Sequence, residues 1–524
     1  MSVEKNEEFK SKDVSRRTFL RNAGILAGST VVGASVFLGG CSTPSASQPA
    51  SESKDWMPAT WDDEADVVIV GSGGGLAGAV TAAEAGMDVI VLEKMNRVGG
   101  STSMHSGVIA CGGGTSIQKA AGITETPEAY AKYLLACAKG QANEELVTVL
   151  STEFRDTFEW LAGLGIPFSP DNMYCTGAEQ EPYCANVTPP VKHGVIITDK
   201  EHPLGGALIH EYVTKKAEEL GVRLLMETSA TKLITNPDGE VVGVGADSGG
   251  KSINIKARKG VILAGGGMCN NPEMMAQYMR YGALRMAAGG KGSTGDTIKM
   301  AQAIGADLVN MHESLTSPST AVKLGTTTRG IERESFPSII VNKWGQRYVN
   351  EDYHSDTVGK LFQGQEDGLS WQIFDGQSVG AVSAQNKEAL IKANSIEELA
   401  EKTGIFELGL VNTLNRWNQN AANGDDPDYQ KKGGTVKPLS APFYAFKLPW
   451  TIAIVVQYGG IKVDEKCQAI NIFGKPISRL YAAGIDAGGW LGRNYPGSGH
   501  GAGGGYAMSR IAARQLVEYA NWDK

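Results

Sequence analysis

The sequence is short of cysteine, histidine and positive charge, and each shortage removes a class of function. Seven cysteines are spread over 524 residues. Beyond Cys41 they are Cys111, Cys137, Cys175, Cys184, Cys269 and Cys467, and none falls in C-x-x-C or C-x-x-C-H spacing. Covalent haem attachment and the simple zinc and ferredoxin patterns are therefore unsupported, and no metal site is expected. Cys175 and Cys184 could pair in an oxidising compartment, and buried free thiols are the other reading. Lysine and arginine number 49 against 57 acidic residues, a net charge of -8. No basic field gathers phosphates, so nucleic acid is set aside as a partner. An undiluted hydrophobic run is also missing. The apolar stretch from Ala23 to Gly40 is interrupted by Gly, Ala and Ser, which lowers its insertion energy.

What is abundant is glycine, 67 residues in a chain with a globular balance of 42% hydrophobic and 20% charged residues. Many tight turns or close approaches of backbone to a ligand follow. A chain of this length exceeds the usual limit of one core, so two structural units are expected. At the N-terminus, Ser15, Arg16, Arg17, Thr18, Phe19, Leu20 and Arg21 form a twin-arginine export signal. Leu38-Gly39-Gly40-Cys41 resembles the lipobox of bacterial lipoproteins, with Cys41 as the lipidated first residue of the mature chain. The Ser/Pro-rich stretch from Ser42 to Ser53 is a linker. Export to the cell envelope, with a lipid anchor on the membrane surface, is the expected localisation.

A β-α-β unit follows. Asp66 to Val70 is a β-branched run, "GSGGGLAGAV" opens a helix of small residues, and Asp88 to Leu92 is a second strand ending at Glu93. Gly71, Gly73 and Gly74 let backbone N–H groups approach a pyrophosphate at a helix N-terminus. Glu93, about 20 residues on, is placed for a ribose hydroxyl. The third glycine of G-x-G-x-x-G is replaced by Leu76, so Gly75 or Gly78 must take its packing role. Four later segments add to the pattern: "VGGSTSMHSG" (98–107), with Gly100, Ser101, Thr102, Ser106 and Gly107; "KGVILAGGG" (259–267), with Gly265 and Gly266; "GSTGDTIKMAQAIGA" (292–306), through Asp296; and "RLYAAGIDAGG" (479–489), with Gly484.

On these motifs the chain resembles the FAD-binding superfamily of soluble fumarate reductases and 3-ketosteroid dehydrogenases, over about Asp66 to Ala513. The resemblance implies an α/β fold: a discontinuous Rossmann-like FAD-binding domain with an inserted α+β capping domain, and FAD as cofactor. The expected division is a signal with lipobox (1–41), a linker (42–60), the first part of the FAD-binding domain (61–310), the capping domain (311–449) and its second part (450–524). Trp371, Trp417 and Trp450 are expected in the cap's core. "PSIIVNKWGQRYVNED" reads as a hairpin of Ile339–Asn342 and Arg347–Val349 about Gly345.

The fumarate reductase residues are missing. Where those enzymes carry an acid-delivering arginine five residues after the asparagine matching Asn350, this chain has Ser355; where they carry a histidine before Gly459 and Gly460, it has Val456. Their substrate-gripping arginine has no clear match, although Arg493 is near. Burying a dicarboxylate without cationic partners costs several kcal/mol, which argues against fumarate. The ending "LGRNYPGSGHGAGGGYAMSRIAA" (491–513) resembles the ketosteroid dehydrogenase branch. By that resemblance the Tyr495 hydroxyl and Gly499 N–H hold a substrate carbonyl, with Ser498 beside the flavin. Two fixed donors stabilise an enolate, one such donor being worth about 3 to 4 kcal/mol. Tyr353, in the capping segment, is the expected proton donor, because an ordinary phenol stays protonated at neutral pH. Tyr174, Cys175, Tyr183, Cys184 and His193 lie in an irregular loop that borders the substrate entrance or is simply rigid.

The expected activity is reduction of an enone, steroid-like or aryl, fed by a membrane quinol or a cytochrome donor. The competing readings are a 3-ketosteroid-type dehydrogenase running oxidatively, a urocanate- or cinnamate-type enoate reductase with Arg493 or Arg329 gripping the carboxylate, and an electron carrier without chemistry of its own.

Overall fold

The computed structural model describes residues 56–179, 181–279, 285–287, 289–323, 326–329, 336–382, 387–448 and 452–524. The export signal, Cys41, the linker up to residue 55 and Trp450 lie outside the described residues, as does the side chain of Arg329. No described helix is long and apolar enough to cross a membrane.

Strands β1 (Asp63–Val70) and β2 (Val89–Leu92) are Val/Ile-rich and buried from Val67 onward. Such runs suit a parallel sheet covered on both faces. β1 pairs in parallel with β2 (Val68 opposite Ile90) and with β4 (Lys251–Leu263; Val68 opposite Val261). The sheet continues through β3 (Arg223–Leu225) beyond β2. Beyond β4 lie β10 (Pro476–Ala482) and then β9 (Gln468–Ile470), giving the order β9-β10-β4-β1-β2-β3. β10 comes from the far end of the chain, so the Rossmann-like domain is discontinuous.

Helix α1 (Gly75–Glu84) runs from β1 and packs on α6 (His500–Val517). A Cβ at Gly74 would lie 2.7 Å from the Gly505 carbonyl carbon, and one at Gly78 would lie 2.7 Å from Ser509 O. This helix-on-helix contact resolves the motif's departure. Gly78 packs on α6, Gly75 faces Ile69 of β1, and Leu76 fills the core.

The inserted domain has an antiparallel sheet in the order β5 (Ser338–Asn342), β6 (Ser370–Asp375), β8 (Phe443–Leu448), β7 (Ile391–Ala393). Side chains alternate between its faces. Ile339, Val341, Trp371 and Ile373 join Leu414 and Trp417 in one cluster; Ile340, Phe374 and Phe446 join Val358 and Phe362 of α5 (Ser355–Gln363) in another. The expected hairpin is half realised. Ile339–Asn342 is a strand, but Arg347 meets Val341 only through an isolated bridge. The chain turns away because Arg347 is buried in ion pairs with Glu351 and Asp426, both at 2.7 Å.

Candidate active site

The ends of β1, β2, β4 and β10 converge on a cleft with about 880 Å³ of empty space, open solvent included. Its lining includes Gly71, Gly73, Gly74, Glu93, Gly100, Ser101, Thr102, Gly265, Gly266, Asp296 and Gly484. Ser106, Gly107 and Ser498 are not part of that lining. Ser106 is exposed, and Gly107 (φ +88°) packs so tightly that a Cβ would meet Ile197 O at 2.0 Å. Ser498 sits half-buried in the loop before α6.

The residues fit FAD. At Gly71 (φ +105°) a Cβ would lie 2.2 Å from Ala264 O, so only glycine allows β1 and β4 to end this close together. The N-terminus of α1 opens on the cleft, and Gly501 and Gly505 of α6 line it, so two helices turn positive dipole ends toward it. The Glu93 carboxylate accepts from Ser72 Oγ (2.5 Å) and Met95 N (2.9 Å), which fixes it at the end of β2. Lys94 and Asp296 pair across the mouth at 2.7 Å.

One anchor was not expected from the sequence. Asp486, fully buried two residues after Gly484, accepts the Gly265 N–H at 2.5 Å and the Gly267 N–H at 2.8 Å. It ties the end of β10 to the glycine turn after β4, and burial raises its pKa. An acidic residue inside "LYAAGIDAGG" was the available signal.

Beside this cleft lies Tyr495, 4% exposed. Its hydroxyl accepts the Gly501 N–H at 2.7 Å, which leaves the phenolic proton to be donated. Burial pushes the phenol's pKa well up, so it stays a donor. Gly499 caps α6 at φ +92°, and a Cβ there would lie 2.6 Å from Ala110 N. Backbone geometry alone therefore demands glycine. Among the described residues the Gly499 N–H makes no backbone hydrogen bond.

The Tyr495 ring stacks on Tyr458 (5.9 Å, 5°), and both are held by Asp356 of α5. One Asp356 oxygen takes the Tyr495 N–H and the Tyr458 hydroxyl, each at 2.9 Å. From the same cap segment it is the His354 ring, 6.3 Å between centroids, that approaches Tyr495. Tyr353, the expected donor, is packed against the cap's Phe336–Phe374 cluster.

Behind the loop is a buried polar network. His193 bridges Glu125 (2.8 Å) and Glu179 (3.3 Å). Glu179 holds Thr176, whose hydroxyl, with that of Tyr133, faces Pro496 O. His500 Nδ1 donates to Gly497 O at 2.8 Å, so its Nε2 accepts from the Tyr130 hydroxyl at 2.7 Å. Burial lowers the His500 pKa to about 4, which keeps the ring neutral in this tautomer. His500 thus braces the loop. Cys184 lies 3.2 Å from Cys137, and the six described cysteines form no disulfide among themselves.

Fold and cleft together define an FAD-dependent oxidoreductase. The chain matches the FAD binding domain family over residues 66–502 and belongs to it. It is 30% identical to the urocanate reductase of Eggerthella lenta over 453 residues, covering 83% of this chain and 72% of that one. It is 27% identical to the digoxin reductase of the same organism, covering 98% of each. Among solved structures, the 3-ketosteroid-Δ4-(5α)-dehydrogenase of Rhodococcus jostii in complex with 4-androstene-3,17-dione superposes with a TM-score of 0.79 at 30% identity, covering 88% of this chain and 98% of that one. The protein is an oxidoreductase of CH–CH bonds in small substrates.

Proposed function

We propose that this protein is an exported enone reductase of the ketosteroid-dehydrogenase-like branch. It reduces the carbon–carbon bond conjugated to a carbonyl in a steroid-like or aryl substrate. The observation that carries this reading is the Tyr495 hydroxyl, buried, accepting from Gly501 and therefore oriented to donate. Bound FAD supplies the hydride chemistry. The chain's residues hold the substrate. Tyr495 and Gly499 N–H bind the carbonyl oxygen and stabilise negative charge as it develops there. Asp356 and Tyr458 hold the phenol in place, and the cap excludes water.

The proton for the α-carbon comes from the cap. His354 is the better-placed group, because its ring approaches that of Tyr495 at 6.3 Å between centroids. Tyr353 is the alternative donor. The steroid complex of the Rhodococcus protein and the digoxin reductase favour a bulky carbonyl-bearing substrate over a dicarboxylate. Arg493, the cation nearest Tyr495 in sequence, is exposed, so no buried charge pair for a carboxylate is formed by it. The segment 311–449 serves as the cap. Outside the cytoplasm electrons come from a membrane quinol or a cytochrome, with the enzyme held at the envelope by its lipidated Cys41.

The test is product analysis. Chemically reduced holoenzyme is offered enones, including 4-androstene-3,17-dione, alongside urocanate, cinnamate and fumarate. Saturated ketone products support the reading. Turnover of the acids alone, or rapid oxidation of saturated ketones without enone reduction, refutes it.

A further inference from the structure

Glu181 takes no part in the chemistry above, yet it sits at the seam between the cap and the FAD-binding domain. It is 2% exposed and begins the short helix α3 (Pro182–Ala185). Donors from the first turn of α5 reach its carboxyl. They are the His354 N–H at 2.9 Å and the Thr357 hydroxyl at 2.9 and 3.1 Å. Thr357 in turn receives Asn494 Nδ2 at 2.9 Å, and Asn494 precedes Tyr495. The same turn of α5 carries Asp356, which grips Tyr495 and Tyr458. One carboxyl group thus joins three pieces: the α3 loop, the cap's α5 and the Asn494–Tyr495 segment.

The charges around it decide which protonation state suits this position. Asp356, His354 and Tyr353 face it from the cap. Tyr183 faces it from α3, and Cys137 and Lys139 from the end of the helix Pro127–Ala138. Lys139 is the one cation among these, and its ammonium lies over the Tyr183 ring at 4.1 Å. Asp356 is a like charge. A buried carboxylate beside another carboxylate is disfavoured.

We propose that Glu181 is a positioning residue that fastens the first turn of α5 over the active site while it is neutral, and that its ionisation loosens the seam. The proposal rests on the reading of Tyr495 as the carbonyl donor only for its effect on catalysis. In the closed seam burial raises the Glu181 pKa to about 7 from its ordinary 4.5, a shift that hydrogen bonds from Thr357 and His354 only partly offset. The neutral form therefore belongs to the closed state. Its contribution is complete below about 4.5 and is lost as pH rises through about 7. Between pH 6 and 8 the seam's opening equilibrium should rise about tenfold.

Amide exchange of residues 353–363 in the holoenzyme, corrected for the intrinsic pH dependence of exchange, reads this directly and needs no substrate. The native protein should show about a tenfold rise in opening between pH 6 and 8. Glu181→Gln, neutral and still an acceptor, should be closed and flat across that range. Glu181→Ala, lacking the acceptor, should be open at both ends. A native profile without slope, a Gln variant that keeps the native slope, or an Ala variant as closed as the native protein overturns the proposal. Tyr495→Phe assayed in parallel judges the carbonyl-donor reading separately. Full turnover in that variant sinks the catalytic reading and leaves the exchange result to decide on Glu181.

Discussion

Asp356 and Tyr495 belong to different domains and meet at 2.9 Å, carboxylate to backbone N–H. Through this contact the cap reaches the hydroxyl-bearing loop. Asp356 also accepts from Tyr458 and Thr316 N and lies 3.2 Å from Lys360. Asp356→Asn places an amide donor against some of these donors and leaves Lys360 with Glu313 alone. A loss of about 3 kcal/mol is expected from breaking such a buried set. Denaturant unfolding followed at the cap should show it, with flavin content close to native. A variant as stable and as active as the native enzyme would remove Asp356 from the account.

Tyr495→Phe keeps the ring stack on Tyr458 and deletes the donor. Turnover should fall roughly a hundredfold, as for the loss of one oxyanion donor, while FAD stays bound. Steady-state rates with a chemical electron donor, beside the visible flavin band, separate the two. An electron carrier without chemistry at this site would be indifferent.

Gly74→Ala and Gly78→Ala force a methyl group into the contact between α1 and α6, where the nearest backbone atoms are 2.7 Å away. Overpacking of about 1–3 kcal/mol is expected, and it should weaken FAD retention about tenfold by moving the helix N-terminus that faces the cleft. Flavin-to-protein ratio after gel filtration is the measurement. Gly163→Ala, at a helical position with open space around it and no left-handed backbone, is the control.

The buried triad should shape the pH dependence of stability. At His193 burial opposes the charged ring, but hydrogen bonds to Glu125 and Glu179 outweigh it and raise the pKa above 6.5. At Glu125 and Glu179 burial is likewise outweighed, and both are lowered from 4.5. The histidine's contribution is full below about 6.5 and disappears as pH rises through its raised value; the carboxylates' contribution is full above about 4.5 and disappears in acid. Melting temperature should therefore peak between these limits. His193→Gln should flatten the alkaline side, and a native curve that climbs above pH 7 would contradict this.

Arg493→Gln should leave binding of an uncharged enone within about twofold of native, since the residue is exposed. Loss of binding for a carboxylate-bearing substrate in the same variant would instead point to the enoate reading. Titration of oxidised holoenzyme by flavin absorbance gives both answers.

Much of the cofactor cleft was legible in the residues. Val67 to Val70 and Val89 to Leu92 announce themselves as buried parallel strands, and Gly71 stands where no Cβ fits. Local pattern suffices there because the turn from strand to helix is made by neighbours in sequence. Ser106, Gly107 and Ser498 stand in similar glycine- and serine-rich stretches but outside the lining. A small polar residue near a phosphate loop looks the same in sequence whether it faces the cleft or the solvent. The assignment of Tyr353 met the same difficulty, since adjacent residues on the loop before α5 point in different directions and His354 is the one against Tyr495.

The amino-acid sequence by itself determined the glycine turns, the alternation of apolar strands and the tyrosine-bearing loop before the last helix, because each depends on residues close together in the chain. Tertiary structure alone decided that Asp356 would reach Tyr495, that Asp486 would cross to Gly265, and that Glu181 would close the seam. Those contacts join residues more than a hundred positions apart. A carboxyl group far from its partner in sequence carries no mark of that partner until folding brings the two together.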